Sequence, residues 1–297
     1  MKILSWFLSL ALAAPWSDVS RETGVTLAPV GRAQLIDVNQ DGWLDLVVNG
    51  EVRLNRGRGP GFSDQPQRPF GKDVISFVLW GDLNNDGALD AITVAPGRSH
   101  TVYKGPGFGM SSSLDIPSDS NTLAGVLADL DLDGRLDMAF GQAYIKDSLE
   151  AQQMRVYRGP GLNDVTSLWG FFTPGPPGAA DGARPLYGLS TSDLDNDGYP
   201  ELLGAAYGRQ WNTLWKRSPT TSRFSECAAK FGVDGDAIRH GTYSEATREK
   251  FRKRNIPRPD ELPFRSNGNT FCLAPADFDG DGDIDLFSAD ITHAWAG

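Results

Sequence analysis

Five times along this chain, nine residues repeat one pattern: an acid, then an acid or amide two places on, an acid two places further, a glycine, and an acid closing the stretch. The first copy holds Asp37, Asn39, Asp41, Gly42 and Asp45, and the second Asp82, Asn84, Asp86, Gly87 and Asp90. The third holds Asp129, Asp131, Asp133, Gly134 and Asp137, and the fourth Asp193, Asp195, Asp197, Gly198 and Glu201. The fifth holds Asp277, Asp279, Asp281, Gly282 and Asp285. A single copy would be an ordinary solvated turn, since Asp, Asn and Gly favour turns for local reasons. Five in register exclude coincidence and make the chain a repeat protein.

The spacing carries a chemistry. Oxygens at positions 1, 3 and 5 of a tight turn converge on one point, and Gly at position 6 redirects the chain. Position 7 offers a carbonyl, here from Trp43, Ala88, Arg135, Tyr199 or Asp283, and position 9 a carboxylate. Hard oxygen donors without His or Cys select calcium, up to five ions, over zinc or copper. A flexible carboxylate-rich loop suits six to eight ligands better than the tight octahedron of magnesium.

Position 12, where an EF-hand needs a bidentate Glu, holds Val48, Thr93, Phe140, Gly204 and Ser288, so that helix-based module is excluded. The flanks alternate instead with period two, as in Leu44, Asp45, Leu46 and Leu136, Asp137, Met138. This predicts a loop joining two antiparallel strands, with position 9 toward the ion and positions 8 and 10 on the opposite face. Charge agrees: 18 of the 38 acids sit at positions 1, 3, 5 and 9 of these loops, against a net charge of −10. The acidity is site chemistry, and it makes nucleic acid an unfavourable partner.

A second echo follows the early loops. Arg53 to Phe62, Val102 to Phe108 and Val156 to Leu162 each read as a strand, a Gly/Pro turn and a new strand, and Leu214 to Phe224 is a degenerate fourth copy. Successive loops start 45, 47, 64 and 84 residues apart. A unit of about 45 residues with four short strands is the size of a propeller blade. The expected fold is therefore all-β, a β-propeller of four-stranded blades with about five blades present and the fifth left unfinished at the C-terminal end. The longer spacings are insertions: an exposed Pro/Gly loop from Thr173, and a segment of about 225–270 with a basic helix from Ser244 to Arg254. That helix reads either as a special surface or as a solvated helix with Glu249 and Lys253 paired.

Residues 1–13 combine Lys2, an apolar run and the small residues Ala11 and Ala13, the form of a signal peptide cleaved near Ala13. The mature chain, 14–297, is then expected to be secreted, periplasmic or at the cell surface. No later apolar run approaches the ~18 residues that span a bilayer. Cys227 and Cys272 could close a loop of about 46 residues, stabilising by at most ~4 kcal/mol, or remain two thiols; the sequence leaves both open.

The acidic loops and strand-turn-Phe echoes resemble FG-GAP/VCBS repeats, the calcium-bearing blades also found in integrin α-chain propellers. Phe224 to Val233, Ile238 to Gly241, Gly268 to Phe271 and Thr292 to Gly297 resemble, more narrowly, secreted bacterial repeat proteins related to the cartilage acidic protein (ASPIC/UnbV-associated) group. The resemblance implies a propeller of about seven blades with calcium at its loops and a binding or adhesion role toward a protein or carbohydrate ligand. Glu201 and the preceding Pro200 depart from the pattern and mark loop four as the weakest site. An unfinished edge would invite association.

Catalysis finds little material. His100, His240 and His293 are the only histidines, and no GxSxG elbow, P-loop or HExxH occurs. The alternative function is a calcium-dependent polysaccharide lyase or hydrolase in which Arg239 or His240 acts beside a bound uronate. Trp80, Trp169, Trp211 and Trp215 read first as blade core and second as sugar-stacking platforms.

Overall fold

The computed structural model describes residues 19–25, 32–59, 61–71, 74–95, 97–114, 121–143, 151–172, 183–208, 210–235, 245–253 and 269–291. The proposed signal peptide, the Pro/Gly loop, Arg239, His240 and His293 lie outside them. The chain divides into two compact units, one ending at Lys72 and one beginning at Asp73. No helix among the described residues is long and apolar enough to cross a membrane.

The first unit carries β1 (Ala33–Ile36), β2 (Asp45–Val48) and β3 (Glu51–Arg53) in one antiparallel sheet. The strand-turn-Phe echo fails here to make a fourth strand. Beyond β3 the chain forms only the isolated bridge Asn55↔Phe62, while Val52 bridges to Gln67.

The second unit holds three four-stranded antiparallel meanders. The first is β4 (Phe77–Gly81), β5 (Asp90–Val94), β6 (His100–Lys104) and β7 (Gly109–Leu114). The next is β8 (Thr122–Ala128), β9 (Asp137–Gln142), β10 (Arg155–Arg158) and β11 (Asn163–Asp164), followed by α1 (Thr166–Trp169). The third is β12 (Leu186–Ser192), β13 (Glu201–Ala206), β14 (Thr213–Arg217) and β15 (Phe224–Glu226). Two short helices, α2 (Ala228–Phe231) and α3 (Glu245–Lys253), precede the two-stranded sheet of β16 (Asn269–Ala276) and β17 (Asp285–Ile291). This is the blade architecture of a propeller, with three echoes supplying third and fourth strands as expected. The last sheet has two strands among the described residues.

Alternation along the loop-bearing strands needs correction. In β2, β5, β9 and β13 every residue is buried, because the second strand of a blade is covered on both faces. Period two survives in another form. Met138 and Phe140 of β9 pack with Phe77, Ile92 and Leu114 of the preceding blade, while Ala139 between them packs with Leu186, Leu202 and Trp215 of the next. In β13, Leu202 and Ala206 face one core, and Leu203 and Ala205 face another with Leu273. Alternate residues thus serve two different cores, and the polar side of an amphipathic strand is missing.

First strands of successive sheets lie side by side, β4 by β8, β8 by β12 and β12 by β16. At Gly188 a Cβ would stand 2.6 Å from the Phe271 carbonyl oxygen, so the approach of β12 to β16 requires glycine. Trp215 and Trp211 are buried and Trp80 and Trp169 half-buried, with Trp80 edge-on to Phe108 at 5.6 Å, as blade-core residues would be. Cys227 is a half-buried free thiol pushed up to about 11 chiefly by burial, and Cys272 is exposed and also free.

One buried polar group gives the fold an acid sensitivity. Thr122 Oγ1 donates to Gln142 Oε1 at 3.1 Å, which leaves it to accept from His100 Nε2–H, also at 3.1 Å. His100 Nδ1 is then a buried acceptor without a partner, beside the Phe140 ring at 4.8 Å. Burial pushes the imidazole down to about 4, below the ~6.5 of an unfolded chain. As pH falls the unfolded chain therefore takes the proton first, and stability is lost between about pH 6.5 and 4. From pH 7 to pH 5 the loss is about 2 kcal/mol. Chemical denaturation of wild type and His100→Gln at both pH values checks this, because groups shared by the two proteins cancel in the difference. Equal pH slopes would show the histidine to be irrelevant.

Candidate metal centres

Each acidic motif is the turn between the first two strands of its sheet. The residue before position 1 pairs with position 9 in every case: Ile36↔Asp45, Gly81↔Asp90, Ala128↔Asp137, Ser192↔Glu201 and Ala276↔Asp285. Identical register makes the five loops comparable atom by atom.

Position 1 holds the turn closed. Asp129 accepts the backbone N–H of Asp133 at 3.0 Å and of Gly134 at 2.8 Å, and Asp37, Asp82, Asp193 and Asp277 accept the equivalent pair. Position 5 then accepts the N–H of position 7, at 2.8 to 3.0 Å, in all five. Gly at position 6 has φ between 83° and 97°, as its invariance among the repeats implies. Position 4 is left-handed as well, which the motif does not announce. Asn85, Asn196 and Gly280 suit that conformation, whereas Gln40 and Leu132 adopt it at φ 58° and 57°.

Position 9 does more than face the loop. Asp90 is buried and takes the N–H of Leu83 on Oδ2 at 3.0 Å and of Gly105 on Oδ1 at 2.8 Å. Asp45 holds Val38 and Asn55, and Asp137 holds Leu130 and Gly159, in the same way. The carboxylate therefore pins the loop to the segment leaving the third strand. That segment must lie close: a Cβ on Gly159 would meet the Leu136 carbonyl oxygen at 2.1 Å.

Three loops gather carboxylates that could share an ion, with ligand oxygens all within 4.8 Å of one another. They are Asp129, Asp131 and Asp137; Asp193, Asp195 and Asp197; and Asp277, Asp279 and Asp285. In loops one and two the amide at position 3 is engaged inside the turn. Asn39 and Asn84 donate to Asp41 and Asp86 at 2.9 Å, and their carbonyls accept the N–H of the same residues. Loop tips also touch: Asn85 Nδ2 donates to the Gly134 carbonyl at 2.8 Å and Asn196 Nδ2 to Asp283 at 3.4 Å. Loops two and three, and loops four and five, are thus joined pairwise within the second unit.

Side-chain cations complete the site, and the sequence reading passed over them. Lys104, Arg158 and Lys216 occupy one blade position, each following a residue that pairs with position 10 of its loop: Tyr103↔Ala91, Tyr157↔Met138 and Trp215↔Leu202. The available signal was a basic residue at the end of the third strand, last in β6 and β10 and last but one in β14. Arg158 Nε reaches Asp131 Oδ2 at 2.7 Å and Nη2 reaches Asp133 Oδ2 at 2.8 Å. Lys216 Nζ touches Asp195, Asp197 and Glu201. These carboxylates raise Lys216 above its ordinary value against the opposing effect of burial, and the lysine in turn lowers Asp197.

Loop three best fits a divalent ion. Its donors are all oxygens, and Asp131 Oδ1 is a buried atom without a hydrogen-bond partner. Burial, with the Asp131 and Asp133 charges adding to it, pushes Asp137 up to about 6 despite the N–H bonds from Gly159 and Leu130. A cation would satisfy the first oxygen and reverse the second effect.

Residues 37–93 match the FG-GAP-like repeat. The match opens on Asp37 and ends in β5, so it covers loop one, β2, β3 and loop two with its flanking strands. Loops three to five, outside it, repeat the hydrogen bonds that positions 1 and 5 make in loops one and two. No curated protein matches the chain. Among solved structures, one described as the crystal structure of BBS1N in complex with ARL6DN, soaked with lead, is similar over 67% of this chain and 56% of that one, with 9% identity and a TM-score of 0.42. The likeness thus spans little more than half of that chain.

Proposed function

We propose that the chain is a secreted, calcium-stabilised propeller that acts as a binding or adhesion module. The observation that carries the reading is loop three, where Asp129, Asp131 and Asp137 converge and Asp131 Oδ1 is left without a partner. The FG-GAP-like match over loops one and two supports it. Calcium, when bound, supplies charge that lets three or four carboxylates share one small volume. Asp129, Asp131, Asp133 and Asp137, with the Arg135 carbonyl, would hold it in loop three; the equivalent residues serve loops one, two and five.

The role assigned to calcium is structural, and the ligand is a protein or carbohydrate recognised by loops on the blade ends. The likeness to cartilage-acidic-protein-related repeat proteins belongs to the same reading. The buried tryptophans support binding by loops rather than by stacking platforms.

The mature chain incubated with a panel of immobilised acidic polysaccharides and matrix proteins, in calcium and in EGTA, tests the function. Calcium-dependent retention without release of soluble sugar is the expected result. Release of unsaturated or reducing ends from a polysaccharide, abolished in Arg239→Ala, would overturn it in favour of the lyase or hydrolase.

A further inference from the structure

Loop four differs from its siblings in two places at once. Position 9 is Glu201 where the other loops have Asp, and the third strand beside it carries, one residue before its end, a lysine whose ammonium enters the carboxylate set. In loops one to three, Oδ1 of the position-9 carboxylate takes a backbone N–H from beyond the third strand. Glu201 keeps only the other half of that arrangement, accepting the Leu194 N–H on Oε2 at 2.8 Å. The extra methylene lets Oε1 turn to Lys216 Nζ at 3.0 Å. The same nitrogen lies 2.7 Å from Asp195 Oδ1 and 2.6 Å from Asp197 Oδ2. Positions 3, 5 and 9 are thus all on one ammonium.

We propose that Lys216 is the resident cation of loop four: its tethered ammonium takes the carboxylates that a divalent ion takes elsewhere, and this loop binds no calcium while the lysine is present.

An ammonium has three N–H donors, and three carboxylates stand around it at the lengths of charge-assisted hydrogen bonds. Calcium needs its oxygens at about 2.3 to 2.6 Å and more of them, so the two cations cannot share the site. The lysine is also well placed to stay. It extends from β14, where Thr213, Leu214 and Trp215 are fully buried, and its own side chain is only 24% exposed. Arg158, at the equivalent position, does something different. Its planar guanidinium hydrogen-bonds Asp131 Oδ2 and Asp133 Oδ2, feels Asp137 only through charge, and leaves Asp131 Oδ1 without a hydrogen-bond partner. Loop three therefore has a removable lid of charge, and loop four an internal counter-ion.

This inference rests on the reading of the other loops as calcium sites, and the test separates the two. Calcium bound per mature chain is counted by equilibrium dialysis for wild type, Lys216→Met and Asp195→Asn. The expected result is one additional ion in Lys216→Met and an unchanged count in Asp195→Asn. In EGTA the melting midpoint of Lys216→Met should fall below wild type, and calcium should restore it. An unchanged count in Lys216→Met, or one ion fewer in Asp195→Asn, overturns the assignment. The Asp195→Asn arm decides the matter if Lys216→Met does not fold. Calcium at the other loops with either of those outcomes overturns this inference alone, whereas no calcium in any of the three proteins overturns the calcium reading with it.

Discussion

In about 2 mM calcium the second unit is expected to melt far above its midpoint in excess EGTA. The size follows from linkage. A loop with a dissociation constant near 0.1 mM, ordinary for an extracellular site, contributes about 1.8 kcal/mol at that calcium concentration. Loops two, three and five together contribute about 5 kcal/mol, since loop four already holds Lys216. For a unit of this size, 1 kcal/mol moves the midpoint by about 2 to 4 °C, so the shift is on the order of 10 to 20 °C. Asp131→Asn should remove about a third of it. Magnesium at the same concentration should produce much less, because the loops offer more oxygens than a rigid octahedron takes. Differential scanning calorimetry of residues 14–297 with each ion makes the measurement. Identical melts in calcium and EGTA would reduce the five motifs to acidic turns.

What could be read from the sequence was local chemistry. The five turns, the glycine at position 6 and the strand on each side follow from residues within nine places of one another, and the register Gly81↔Asp90 or Ala128↔Asp137 has no room to differ. The helix of the insertion was legible for the same reason: α3 runs Glu245–Lys253, and Glu249 pairs with Arg252 and Lys253 on its own surface. That supports the solvated-helix reading over a special basic face.

Long-range partners were not legible. Nothing in the motif says that Arg158 lies over Asp131 and Asp133, or that Lys216 enters loop four, because the pairs meet only when the third strand returns beside the second. The same return gives position 9 its second hydrogen bond, which motif logic assigned wholly to the ion. The burial of Leu202 and Leu203 on adjacent positions reflects two neighbouring blades, so a period-two pattern of apolar and polar residues never had to exist in β13. The first echo, Arg53 to Phe62, has the letters of its siblings but makes only a bridge at Asn55 and Phe62, and Lys72 closes a separate compact unit soon after.

The pinning role of position 9 can be separated from calcium by Asp90→Ala measured in EGTA. With no ion to lose, the mutation still leaves the buried Leu83 N–H and the half-buried Gly105 N–H without acceptors beneath the exposed turn. Each unsatisfied buried donor costs about 1 to 3 kcal/mol, so the expected loss is about 3 to 5 kcal/mol, or roughly 10 to 15 °C. Asp86→Asn is the control. Its carboxylate is exposed, its bond from Ala88 can be accepted by an amide carbonyl, and its chelated midpoint should stay near wild type. In calcium a second gap opens: Asp86→Asn should now fall below wild type too, having lost a ligand, while Asp90→Ala loses both contributions. If Asp90→Ala melted with wild type in EGTA, position 9 would be a ligand only, and the anchoring of this loop to the third strand would have to come from the close approach of Gly105 to the Leu89 carbonyl instead.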